Sequence, residues 1–85
     1  MSLRIQVRYF ASLREALGAG EVLHVPAGTT VGALRDQLVA QGGEHARCLA
    51  RGRAVRSALD QAMADDGAPL RDGAEVAFFP PVTGG

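Results

Sequence analysis

Few of the 85 residues can do covalent chemistry, and they do not gather into a catalytic pattern. Cys48 follows His45 by three positions, so the two could share one helical face. A pair of donors falls short of the usual ligand set of a zinc site, and no metal site is expected. His24 has no serine, cysteine or aspartate around it in a triad-like arrangement. No glycine-rich phosphate loop is present. Arg47, Arg51, Arg53 and Arg56 make a basic run, which ordinarily reads as a solvated face. The remaining candidate is the last stretch, Glu75 to Gly85. There the one group open to activation is the α-carboxylate of Gly85. Gly84 and Gly85 lack Cβ atoms and could enter a slot too narrow for side chains. Val82, Thr83, Gly84 and Gly85 together can extend roughly 13 Å.

An apolar run, Val76 to Phe79, predicts a β-strand that aims this tip. Pro80 and Pro81 end the strand and stiffen its exit, because neither can donate to a sheet ladder. The division expected is a domain over residues 1–81 and a flexible tail over 82–85. On the strand, Val76 and Phe78 share one face and Ala77 and Phe79 the other. The first pair is the more apolar and is expected in the core, leaving Phe79 to face outward.

Upstream, Leu3, Ile5, Val7 and Tyr9 alternate with Arg4, Gln6 and Arg8, the period of a strand buried on one side. Phe10 is apolar where that alternation calls for a polar residue. Ala11 to Leu17 has short helical spacing, and Gly18 and Gly20 end it. Glu21 to Val25 predicts a second strand closed by Pro26, with Leu23 and Val25 inward, forming an antiparallel pair with the first. Thr30 is placed to cap a helix whose apolar stripe is Val31, Leu34, Leu38 and Val39, stopped at Gly42-Gly43. Gly32 inside that helix implies close packing. Glu44 to Arg51 reads as a short helix and Ala54 to Asp60 as a strand. Asp65-Asp66-Gly67 and Arg71-Asp72-Gly73 read as turns. The economical fold is α+β, a mixed sheet packed on one main helix.

Nine cations, all arginine, balance nine acids, so nothing draws the chain to nucleic acid or to a membrane surface. No apolar run approaches the length that spans a bilayer. A lone cysteine and an N-terminus that reads at once as a strand fit a cytoplasmic protein.

The segment Leu70-Arg71-Asp72-Gly73-Ala74-Glu75-Val76-Ala77-Phe78-Phe79-Pro80-Pro81-Val82-Thr83-Gly84-Gly85 closely resembles the end of the molybdopterin synthase small subunits, a family of ubiquitin-like sulfur carriers. Val7 to Glu15 and Thr30-Val31-Gly32-Ala33-Leu34 extend the resemblance over most of the chain, while Gly43 to Arg56 matches poorly. Phe-Phe-Pro-Pro-Val-Thr-Gly-Gly is the specific part, since a bare Gly-Gly end is common to much of the ubiquitin-like superfamily.

The resemblance implies a β-grasp fold with first and last strands adjacent at the sheet centre. It also implies a carrier with no catalytic site and no bound cofactor of its own. An ATP-dependent adenylating enzyme of the ubiquitin-activating type would activate Gly85, and a sulfurtransferase persulfide would convert it to a thiocarboxylate. The large synthase subunit would then accept the tail, with Gly84, Thr83 and Val82 threading its channel. That subunit would use the sulfur to build molybdopterin from cyclic pyranopterin monophosphate, in a heterotetramer. Phe79 and Phe10 would form an apolar partner surface, with Met63 a further member and Arg14 a polar rim. A sulfur carrier for thiamin thiazole synthesis or tRNA thiolation, and a ubiquitin-like protein modifier, are the competing readings. With no lysine, the chain could not build lysine-linked chains on itself.

Overall fold

The computed structural model describes residues 1–81, so Val82, Thr83, Gly84 and Gly85 lie outside the described residues. The chain runs β1 (Ser2–Tyr9), α1 (Ala11–Leu17), β2 (Gly20–Pro26), α2 (Val31–Val39), α3 (Gly43–Leu49), β3 (Arg56–Leu59), β4 (Ala62–Ala64) and β5 (Glu75–Phe79). The five strands form one mixed sheet in the order β2-β1-β5-β3-β4. β1 and β5 are parallel neighbours at its centre, with Val7 opposite Val76 and Tyr9 opposite Phe78. This is the β-grasp arrangement, and it is α+β as the alternation and helix stripe predict.

Alternation puts Ile5, Val7, Tyr9, Val25, Val76 and Phe78 on the inner face, all essentially buried. Against them α2 lays Val31, Leu34 and Leu38, and α3 adds Leu49 and Cys48. β1 and β2 pair antiparallel as expected, and α1, over the stretch whose spacing predicts a short helix, fills their connection and seats Leu13 in the core. β4 had no sequence signal; its three residues, Ala62 to Ala64, lack an apolar alternation.

Polar side chains tie the helices down. The Thr30 hydroxyl accepts from the Ala33 amide, capping α2. Buried Arg35 donates to the carbonyls of Leu49, Ala50 and Arg53 at 2.7, 2.8 and 3.1 Å, fixing the exit of α3. Arg51 pairs with Asp36 and Asp66 and donates to the Gly32 carbonyl, joining α2 to the loop after β4. Among the described residues, no helix is long and apolar enough to cross a membrane.

Candidate functional site

The basic run does not act as one patch. Arg47 pairs with Glu44 and Arg51 with Asp36 and Asp66, whereas Arg53, after α3, and Arg56, the first residue of β3, are exposed. His45 and Cys48 also part company: His45 Nε2 lies 2.7 Å from Glu21 Oε2, while the Cys48 thiol is buried. The same Glu21 oxygen accepts the Tyr9 hydroxyl at 2.8 Å, so β1, β2 and α3 meet on one carboxylate. Burial, with the Glu21 bond and charge adding to it, holds the Tyr9 phenol well above its ordinary pKa. His24 is exposed on β2. Among the described residues, no three or more His, Cys, Asp or Glu side chains gather as a metal set.

The outer face of the sheet carries a different feature. Parity turns Glu75, Ala77 and Phe79 of β5 outward, each half-buried, while Phe78 and Val76 are fully buried. Register aligns Arg8, Ala77, Ala58 and Met63 in a row across four strands. The two alanines make a low floor. Phe10, Phe79 and Pro80 stand above it, leaving an open and largely apolar groove of about 530 Å³. Phe10 stays out of the core because the chain turns sharply after β1. Its amide donates to the Phe78 carbonyl at 3.2 Å, and Ala11 follows in the left-handed region at φ 54°. Phe10 is accordingly 39% exposed, enough to be met by a partner.

Of the residues expected on an apolar partner surface, Phe79 and Phe10 border this groove. Met63 is on the same sheet face and 62% exposed, but it borders a separate depression beside Arg56 and Asp65. Arg14 is exposed on α1 and is not part of the groove lining. The guanidinium at the rim belongs to Arg8, whose Cζ lies 5.6 Å from the Phe10 ring centroid, close enough for a cation–π attraction. Arg8 Nη1 also lies 3.7 Å from Glu75 Oε2. Arg8 shares strand parity with Phe10, so alternation could have found it. Gln61, also in the lining, had no such signal. In sequence, Val82, Thr83, Gly84 and Gly85 follow Pro81 directly, so they begin two residues after Pro80 at the groove's edge.

The ThiS family profile matches residues 7–85. The molybdopterin synthase sulfur carrier subunit of Escherichia coli (strain K12) is 42% identical over 81 residues, covering 95% of this chain and 99% of that protein. The crystal structure of small archaeal modifier protein 1 from H. volcanii superposes with a TM-score of 0.76 at 26% identity, over 94% of this chain and 99% of that one. A chain in the complex of subunits 1 and 2 of the molybdopterin-converting factor from Helicobacter pylori 26695 superposes with a TM-score of 0.63 at 28% identity, over 98% of this chain and 100% of that one. The chain belongs to the ThiS family, with the molybdopterin synthase sulfur carrier subunits among its relatives there.

Proposed function

We propose that this chain carries sulfur on the C-terminal carboxyl of Gly85 and delivers it inside the large subunit of a molybdopterin synthase. The observation that carries the reading is the apolar groove between Phe10 and Phe79, set at the root of a tail that ends in two glycines. A carboxylate is a poor electrophile, so the terminus has to be activated by a partner. An ATP-dependent adenylating enzyme of the ubiquitin-activating type makes the acyl-adenylate. A sulfurtransferase persulfide then displaces AMP to give an acyl disulfide, and a second thiol of the activating machinery cleaves its S–S bond, leaving the thiocarboxylate and a disulfide between the two thiols. Its sulfur is polarisable and nucleophilic at neutral pH, as thiolates are. The acceptor is cyclic pyranopterin monophosphate, whose dithiolene the synthase builds.

The chain's own part is to present the tail and dock. It binds no cofactor for this, and ATP is consumed on the activating enzyme. Phe79, Phe10 and Arg8 meet the partner. The strand and its two prolines direct the tip, and Gly84 keeps it narrow. The complex of the H. pylori relative with its subunit 2 supports the large subunit as partner. The proposed assembly is a heterotetramer, two carriers on a large-subunit dimer.

The test is the mass of the chain recovered from cells with a working activation system. A gain equal to the difference between sulfur and oxygen, lost on deleting Gly84-Gly85, is expected. An unmodified terminus in such cells would overturn the reading. The likeness to the archaeal modifier supports a second use of the same activated terminus, acylation of lysines on other proteins. Conjugates joined through Gly85, with no thiocarboxylate form, would favour that use instead.

A further inference from the structure

Three non-glycine residues among those described hold positive φ: Ala11 at 54°, Asp60 at 48° and Gln61 at 70°. Ala11 and Gln61 both line the Phe10–Phe79 groove, and Asp60 immediately precedes Gln61. Left-handed backbone in residues with a Cβ is unfavourable, and where a structure retains it, it tends to cluster at functional positions. Here two of the three line one surface, and the third adjoins one of them in the chain.

Asp60 and Gln61 are the whole connection between β3 and β4, since Leu59 pairs directly with Ala62. A two-residue hairpin with both φ positive prefers Asn-Gly or Asp-Gly, because glycine bears the second position without strain. Asp60 explains itself. Its amide donates to the Glu75 carbonyl at 2.8 Å and its carboxylate accepts the Glu75 amide at 2.9 Å, fastening the turn to β5. Gln61 has no comparable structural use. It is exposed, and its carboxamide bonds to no described residue. The turn is therefore rigidly placed, and it holds out a donor–acceptor group beside an apolar floor.

We propose that Gln61 is a recognition residue for the large synthase subunit, its carboxamide pairing with an exposed peptide group of the partner segment seated in the Phe10–Phe79 groove. This rests on the docking reading above. The occupant follows from where the chain leaves the groove. Four residues beyond Pro81 reach at most roughly 13 Å. A partner that takes Gly85 into its active site must therefore cover the ground around Pro80, which is this groove. An apolar floor gives such a partner affinity without register. An amide carried on a held turn at the rim supplies the register, because a partner that leaves a peptide group unpaired there is disfavoured.

The experiment compares Gln61→Gly with Phe79→Ala in thermal melts of the free carrier and in calorimetric titration with the purified large subunit. Gln61→Gly should raise Tm by a few degrees, as the left-handed strain is relieved, and weaken binding about tenfold. A structural residue would not show that opposition. Binding unchanged in Gln61→Gly but weakened in Phe79→Ala would overturn the role of Gln61 and leave the docking face standing. Binding unchanged in both would overturn the docking face itself. A lower Tm for Gln61→Gly would refute the strained-turn premise and the proposal with it.

Discussion

Tyr9 is the only tyrosine in the chain, and it lies at the crossing of core and polar network. Its ring stacks on Phe78 with centroids 6.3 Å apart, while its hydroxyl is held by Glu21. The raised pKa gives a direct test, since absorbance in the tyrosinate band reports this residue alone. The folded phenol should stay protonated past about pH 10, where an unfolded tyrosine ionises. Above that pH the unfolded chain binds fewer protons than the folded one, so stability is fully present below about pH 10 and falls as pH rises. Tyrosinate absorbance near pH 10 in still-folded protein would contradict this. One position away from Phe78, Phe79 separates packing from the proposed docking. Phe78→Ala should cost about 3–5 kcal/mol, enough to unfold a domain of this size. Phe79→Ala should keep the melting curve and weaken large-subunit binding. Equal destabilisation of the two variants would refute the division of faces.

At the scale of elements, α2 shows packing overruling propensity. Gly32 should be improved by alanine, worth about 1 kcal/mol in a helix interior. Yet a Cβ there would come 2.8 Å from Asp66 Cβ and 3.1 Å from the Asp66 carbonyl oxygen, whose bond to the Gly32 amide fixes the loop. Gly32→Ala should therefore lose about 1–3 kcal/mol in urea unfolding, the usual cost of overpacking. A stabilised variant would show that the loop yields. Arg51 closes the same junction. Its hydrogen bond to Asp36 holds that carboxyl below its ordinary range, so whatever stability this tie gives is present above about pH 4 and lost as pH falls further. Sequence made α2, its Thr30 cap and its closely packed glycine legible. It did not show that Asp66 is what Gly32 packs against, because that contact joins residues far apart in the chain.

For the whole molecule, the proposed function makes fold and delivery separable. Among the described residues, each fully buried large side chain lies at or before Phe78, ahead of the end of β5. Deleting Gly84-Gly85 should leave Tm unchanged and abolish sulfur transfer in a reconstituted synthase. A lowered Tm would show that the tail contributes to the fold. Gly84→Val should bind the large subunit nearly as well as the unaltered chain yet block transfer, because a β-branched side chain stiffens and widens the tip. Undiminished transfer would mean the channel is wide. In the proposed function the sheet is the mount, its outer face the docking ground, and the four residues after Pro81 the reach.

Local rules acting on short stretches determined much of this from sequence. Alternation set the inward residues of β1, β2 and β5, helical spacing set α2, and the prolines set where β5 stops. The terminal motif carried the family. What sequence left open depends on which strands become neighbours. The row Arg8, Ala77, Ala58 and Met63 exists only once β5 inserts between β1 and β3. That insertion puts two small side chains side by side and so opens the groove. It also makes Arg8 the guanidinium at Phe10, a place the sequence reading gave to Arg14. The Asp60-Gln61 turn was invisible for a related reason: its left-handed backbone is imposed by pairing and by the Glu75 bonds, against local preference. Local propensity acts within a few residues, whereas a surface is assembled from strands that register brings together, and only the tertiary structure contains the register.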